Sequence, residues 1–432
     1  MTKSVPTGKL ARTRLASGAM LKAGSKHLSH IARRPFMSSE SSQQEKAQLD
    51  QQTAEILFKA LSQLRGTALK LAQMLSLDNH YLPEPMRKQL AMSCHQATPL
   101  GRPLIRKLFL QEFDRAPEKV FAEFDSQAFA AASLGQVHRA RSHAGKELAV
   151  KLQYPGIDIT IDSDLQIMRM LLKRTAHAEL LLSSLDEISQ RLQEEVDYHQ
   201  EADNTEWFRS QLQLDPVRIP EVCRDYSSKR IITTTRLAGE HMEQWLRSNP
   251  SQAQRNHFAQ ILYDLFVNSF YGLNALHADP NPGNYLFAED GTLGLIDFGC
   301  VRHFSADFVA LMPQLLNAYL QQDASAVLNC YKKLGMVVEG LDSGQQQEFY
   351  ETLLKPFGDW LTKPFKVGRF DFSKRDSAYI KEGLELFGKL SQIKKIDTIA
   401  NEFIYFDRTL FGLYQIFERM QAEVAMEHQW LI

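Results

Sequence analysis

Between His277 and Gly299 the chain reads HADPNPGNYLFAEDGTLGLIDFG. Two short apolar runs, Tyr285 to Phe287 and Leu293 to Ile296, flank a turn at Glu289-Asp290-Gly291, which predicts a hairpin. The runs are too short for helices, so this stretch forces a strand–turn–strand unit into whatever the chain becomes. The polar residues fall just outside the hairpin: His277, Asp279 and Asn284 before it, Asp297-Phe298-Gly299 after it. Taken singly, each is an acid or amide on a chance hairpin. In this order and spacing they match a phosphoryl-transfer loop, H-R-D-x-x-x-x-N, followed by a metal-binding D-F-G. Such chemistry asks the protein mainly for position and charge control. Asp279 is the candidate catalytic residue, able to orient or deprotonate a hydroxyl. Asn284 and Asp297 are the candidate metal residues, offering the hard oxygens that Mg²⁺ takes beside triphosphate oxygens.

The rest of the chain bounds this reading. Its 432 residues suffice for two or three units, or for one two-lobed enzyme with extensions. A formal charge of −1 gives no reason to expect nucleic acid as a partner. Four scattered cysteines, Cys94, Cys223, Cys300 and Cys330, form no C-x-x-C pair and read as reduced packing residues. No apolar run approaches the length of a membrane span. Residues 1 to about 38 carry eight lysines and arginines (Lys3, Lys9, Arg12, Arg14, Lys22, Lys26, Arg33, Arg34) and no acid before Glu40. That bias suits a transit peptide, a surface for anionic lipid or a solvated basic tail. From Ala54 to Leu77 apolar residues recur at helical spacing, with Lys70 and Gln73 on one face.

Ala130-Ala131-Ala132-Ser133-Leu134-Gly135-Gln136-Val137 aligns with the phosphate loop G-x-G-x-x-G-x-V at Gly135 and Val137. Alanine replaces the first two glycines, restricting the backbone where phosphates approach. A strand, a turn at His143-Ala144-Gly145 and Glu147-Leu-Ala-Val-Lys151 follow, the last matching the V-A-I-K strand whose lysine meets the α- and β-phosphates. Helical sequence runs from Ser163 to about Leu212, with a break near Ser183-Ser184. Within it Glu201 is the candidate acid to hold Lys151, and Glu194, Glu195 and Asp197 crowd the turns before it, either drawing a cation or forming a solvated acidic face. Arg230 to Gly239 reads as a strand and hinge, with backbone groups at Thr235, Arg236 and Leu237 placed for an adenine edge. A helix from Gln252 to Leu276 is expected to lead straight into His277. Four further helices follow, the last dense in aromatics (Phe403, Tyr405, Phe406, Phe411, Tyr414, Phe417) that read as core rather than as a quinone or lipid groove.

At these residues the chain resembles the UbiB family, the AarF-domain or ADCK atypical kinase-like proteins. The resemblance covers nearly the full length. It rests on Ala130 to Val137, Ala149-Val-Lys151 with Gln153-Tyr-Pro-Gly156, Glu195-x-Asp197-Tyr-x-x-Glu201-Ala, His277-Ala-Asp279-x-x-Pro-Gly-Asn284 and Asp297-Phe-Gly299. It implies an α+β, two-lobed protein-kinase-like fold with an N-terminal helical cap and a mostly helical C-lobe. The implied domains are a basic extension and linker (1–50), the cap (51–116), an N-lobe with the alanine-rich loop (117–239) and the C-lobe (240–432). The family's lysine-glycine-glutamine cap motif is matched by Lys70-Leu-Ala-Gln73, with Ala72 in the glycine's place. There Lys70 and Gln73 would form a regulatory cap with Glu195 and Asp197.

The resemblance further implies ATP or ADP with Mg²⁺ as cofactors, ATPase or atypical kinase activity, and support of ubiquinone biosynthesis. Implied partners are adenine nucleotide and an anionic membrane surface, a quinone precursor or biosynthetic enzymes. Val5 onward looks like the family's pre-cap segment, leaving four residues ahead of it, and the chain lacks the hydrophobic tail of many relatives. The expectation is a bacterial cytoplasmic protein, peripheral to the inner membrane. Two alternatives stay open: a nucleotide-binding scaffold without turnover, and a small-molecule kinase like the aminoglycoside phosphotransferases, which lack a cap.

Overall fold

Glu147–Gln153 shows how sequence sets the architecture. Leu148, Val150 and Leu152 alternate with Ala149 and Lys151, and the first three are fully buried. Period-two alternation therefore turns Lys151 to the face opposite the core. The computed structural model describes residues 100–157 except 133, scattered positions from 161 to 189, and residues 192–335, 342–373, 378–391, 401–427 and 429–430. The basic extension, the 54–77 helix, Lys70, Gln73 and Ser133 lie outside the described residues.

The chain divides into two units, residues 1–200 with 223–234, and 201–222 with 235–432. The first is built on a five-stranded sheet. Glu123–Phe124, Gly135–Arg141, Glu147–Gln153 and Ile231–Thr235 lie side by side, and Ala130–Ala132 pairs back onto Gly135–Arg141. The alanine-rich loop is thus a hairpin tip, with Ala130 opposite Val137 and Val137 opposite Lys151. Gly145, at a φ of 81°, makes the next turn. Helix Arg102–Phe113 covers one sheet face through Ile105, Leu108 and Phe109, which pack with Leu148, Val150, Leu152 and Ile231. Arg230 Nε donates to Glu112 Oε1 at 2.7 Å and pins that helix to the strand.

The second unit is mostly helical around a large aromatic core. Helix Gln252–Val267 opens with a capping box between Ser251 and Gln254. It does not lead into His277 as a helix. A π-turn at Asn268–Gly272 and a left-handed Asn274 (φ 49°) end it, and Ala275–His277 is a strand paired with Val301–His303. Gly272 and Asn274 are the residues that release the helix, and pairing with the strand after Gly299 then outweighs helical periodicity. The Tyr285–Phe287 and Leu293–Leu295 hairpin forms as expected, between Glu240–His241 and Val217–Arg218. Helices Ala306–Leu320, Ala324–Lys333, Ser343–Phe349, Lys355–Thr362, Ala378–Ser391 and Asn401–Met420 follow. The 343–362 stretch is broken by a π-turn at Tyr350–Leu354, just before Pro356, which supplies no N–H. In the final helix Phe403, Tyr405, Tyr414 and Phe417 are buried.

A second correction concerns the acid motif. Glu194 to Glu201 is not one helix: the chain turns at Val196, and helix Tyr198–Gln211 starts afresh. Asp197 Oδ1 accepts the N–H groups of His199 and Gln200, each at 3.1 Å. The carboxylate spends its charge on orphan helix donors, so Asp197 is a cap rather than a member of an acidic face.

Candidate active site

In the helical unit, the hairpin carries the candidate chemistry at its two ends. Asp279 and Asn284 are joined by a loop whose own polar groups close it. Asn281 N donates to Asp279 O at 2.7 Å, and Gly283 N to Asn281 Oδ1 at 2.9 Å, ahead of a 3₁₀ turn at Pro282–Asn284. Asn284 is 8 % exposed, and its Nδ2 donates to Asp279 Oδ2 at 2.9 Å and Asp279 O at 3.1 Å. With its amide nitrogen committed to Asp279, Asn284 keeps a carbonyl oxygen as a hard ligand.

Asp297 is oriented from two sides. Its Oδ1 accepts Gly299 N–H at 3.0 Å, and its backbone carbonyl accepts His277 Nε2. That bond puts the imidazole proton on Nε2, and His277 Nδ1 is buried with no partner among the described residues. Ala278 N donates to Cys300 O at 2.9 Å, completing the tie between the two loops. Beneath them, Phe298 is fully buried, edge-on to His277 at 5.6 Å and against Phe208 at 5.3 Å. Burial first, and the charge of Asp279 second, raise the phenol pKa of Tyr285, which keeps it neutral. Among the described residues, no cluster of three or more His, Cys, Asp or Glu could hold a metal alone. Asn284 and Asp297 therefore fit Mg²⁺ that draws its remaining ligands from phosphate and water, its usual arrangement at nucleotide sites.

Several supporting residues were not singled out from the sequence. Asn204 Nδ2 donates to Phe298 O at 3.0 Å, so the helix bearing Glu201 is hydrogen-bonded to the Asp297–Gly299 loop. Gly412, in the final helix, packs against Pro280: a Cβ at 412 would lie 2.3 Å from Pro280 Cγ. Arg302 lies 4.4 Å over the Tyr405 ring. Only the Asn204 amide, in the motif's last turn, had a local signal; the partners of the others lie far along the chain. Glu201 is 3 % exposed, and its carbonyl accepts Thr205 Oγ1 at 2.7 Å. Thr235 N is committed to Glu221 O at 2.9 Å and its Oγ1 accepts Glu221 N at 2.9 Å, so Arg236 and Leu237 are the better hinge candidates for a nucleotide edge.

In the sheet unit, Lys151 Nζ lies 5.1 Å from the centroid of the buried Tyr198 ring. Gly135 is required by space: a Cβ there would sit 2.1 Å from Leu152 O and 3.2 Å from Tyr198 Oη. Gln153, also buried, donates Nε2 to Val196 O at 2.9 Å and anchors the turn before Asp197. Gln136 and His138 form a buried network the sequence reading missed. Leu100 N donates to Gln136 Oε1 at 2.7 Å, His138 Nε2 meets Gln136 Nε2 at 2.7 Å, and His138 Nδ1 donates to Asp125 O at 2.8 Å. Burial lowers the His138 pKa and keeps the ring neutral, as an acceptor for the Gln136 amide. Ala130 is half-buried on its strand and Val137 is half-buried opposite Lys151; Glu195 is half-buried.

Sheet unit and helical unit with this loop arrangement define a kinase-like α+β protein. The ABC1 atypical kinase-like domain matches residues 94–331, and the chain belongs to that family, the UbiB or ADCK group. It is 29 % identical over 378 residues to "Atypical kinase COQ8, mitochondrial" of Saccharomyces cerevisiae, spanning 84 % of this chain and 74 % of that protein. Identity is 31 % over 323 residues to the COQ8 atypical kinase of Schizosaccharomyces pombe, spanning 72 % of this chain and about half (52 %) of that protein. Among solved structures, Rv3197 in complex with erythromycin from Mycobacterium tuberculosis matches with a TM-score of 0.60 at 24 % identity, over 89 % of this chain and 96 % of that one. That likeness concerns the fold. Among the described residues no helix is long and apolar enough to cross a membrane.

Proposed function

We propose that the protein binds Mg-ATP and turns it over as an atypical kinase or ATPase in support of quinone or lipid metabolism. The observation that carries the reading is the mutual tethering of the two loops, with Asn284 bonded to Asp279 and His277 to Asp297. A scaffold with no chemistry has no need of a base carboxylate held beside a hard metal ligand. Asn284 and Asp297 would hold Mg²⁺, which supplies charge neutralisation for the phosphates. Asp279 accepts or orients the acceptor's hydroxyl proton. Lys151 binds the α- and β-phosphates, Glu201 is its acidic partner, and the adenine edge meets Arg236 and Leu237. The backbone of Ala130 to Val137 covers the phosphates, and Lys70 and Gln73 with Glu195 form the regulatory contacts, the turn being held by the Asp197 cap. The quinone assignment draws on the COQ8 relatives and on family resemblance.

The deciding experiment is ADP release from Mg-ATP by purified protein, with and without anionic liposomes, against Asp279→Asn. Turnover in the wild type that disappears in the variant supports the reading, and stimulation by liposomes directs the search for the acceptor to lipids. The same samples are melted with Mg-ATP, since ligand at a hundred times its dissociation constant adds about 2.7 kcal/mol of native stability. A melting shift with no turnover under any condition replaces this reading with a nucleotide-binding scaffold. An undiminished Mg-ATP shift in Asp297→Asn removes the metal assignment.

A further inference from the structure

Away from the loops, the helical unit contains a cavity of about 40 Å³. Five phenylalanines and two tyrosines line it, among them Phe266, Phe403 and Phe406, together with four leucines, Met312 and one carboxyl group, Asp407. Among the described residues, no lysine, arginine or histidine reaches its wall. Asp407 is 8 % exposed, and burial is the sole influence on its carboxyl group, with no hydrogen bond or opposite charge contributing among the described residues. The polar groups on the neighbouring helices offer it little. Tyr319 donates its hydroxyl to Tyr331 at 2.9 Å, Tyr414 is buried without a partner, and Tyr263 donates to Met426 O.

A buried carboxyl group with no partner is costly, and its retention beside an empty space asks for an occupant. The space holds about three waters at roughly 10–15 Å³ each, but not a benzene-sized ring, which needs about 150 Å³. The occupant is therefore compact, or is the end of a chain. Its charge is inferred from the wall: aromatic rings can offer negative faces, the one carboxyl group is negative when charged, and among the described residues no cation opposes them. We propose that this cavity is a binding site for a compact organic ammonium group, with Asp407 as its counter-ion and the surrounding rings as cation–π partners.

Proton balance gives the site a signature. Burial raises the carboxyl pKa of Asp407 well above its ordinary value, and Tyr319, Tyr331 and Tyr414 are themselves held neutral by burial, with added repulsion from Asp407. The empty site thus favours the protonated acid more than water does. An ammonium ion enters already protonated, the acid gives its proton to the buffer, and the occupied site holds a carboxylate–ammonium pair. Binding is therefore accompanied by proton release.

The test measures binding of methylammonium and propylammonium chloride against 1-propanol and sodium chloride, by melting and by calorimetry in two buffers of different protonation enthalpy. Wild type should melt on the order of 3 °C higher with an ammonium salt at a hundredfold excess over its dissociation constant. Its heats should differ between the buffers in the sense of proton release on binding. Asp407→Asn should lose both effects, while Asp279→Asn keeps them, so the outcome is independent of turnover. An equal shift from 1-propanol, a shift retained in Asp407→Asn, or no response to either amine overturns the proposal in favour of a hydrated acid. Should Asp407→Asn fail to fold, the wild-type contrast between propylammonium and 1-propanol in the two buffers decides the matter alone.

Discussion

Lys151 and Asp279 are held in place by different means. Lys151 is presented by strand alternation: Leu148, Val150 and Leu152 bury one face and the lysine takes the other, with Gly135 leaving room for the neighbouring backbone. Asp279 is held by polar tethers, chiefly the Asn284 amide, within a loop braced by His277 and Gly299 bonds to Asp297. A residue placed by packing is displaced by whatever disturbs the packing, so its neighbours report as stability. A residue placed by hydrogen bonds in a half-open loop can lose alignment while the fold persists, so its neighbours report as rate.

This contrast can be broken by four measurements. The largest effect is expected from Asp279→Asn, which should lower the rate of ADP release by about 10²- to 10⁴-fold. Its melting temperature should match wild type; a large drop in stability would place Asp279 in the packing class. Asn204→Leu removes the amide that fixes Phe298 O and should cost about 10- to 100-fold in turnover, the loss expected when a supporting hydrogen bond is removed behind the proposed metal ligand Asp297. Steady-state rates with the fold checked by circular dichroism decide this. Gly135→Ala should do the reverse. Its methyl meets Leu152 O, a backbone atom that cannot swing aside, and overpacking of that kind costs about 1–3 kcal/mol in denaturant unfolding.

The smallest effect concerns pH. His138 has a folded pKa below its ordinary 6.5, so the unfolded chain binds the extra proton first as pH falls. Its contribution to stability is complete above pH 6.5 and is lost as pH drops through the lowered folded value. Melting of wild type at pH 7.5 and 5.5 should show a fall that is reduced in His138→Gln. Equal falls in both proteins would take His138 out of the account.

The same division explains what was legible in the sequence. His277, Asp279, Asn284 and Asp297 bond to one another within a short span of chain, so their order and spacing are the structure of the loop. Lys151 was legible because a period-two pattern needs only its own strand. Gln136 and His138 were not. They look like polar residues in a strand with a wet face, and only Leu100 N and Asp125 O, supplied from elsewhere in the chain, make them interior. Asp197 shows a subtler failure. An aspartate ahead of a helix is a cap signal, but the surrounding acids kept helical spacing and concealed the break at Val196. The strand at His277 was hidden for a similar reason, since its partner, Val301, lies beyond the loop it helps to close.

Gly412 and Pro280 carry one more consequence. A side chain of any size at 412 reaches the residue after Asp279, so this helix serves as the back wall of the proposed catalytic loop. Helix displacement, by substitution, by a ligand or by a partner docked on its outer side, would be felt at the Asp279 carboxylate with no change in any residue of the loop. The far end of the chain is thereby a handle on the proposed chemistry, and a methyl series at 412 would calibrate it.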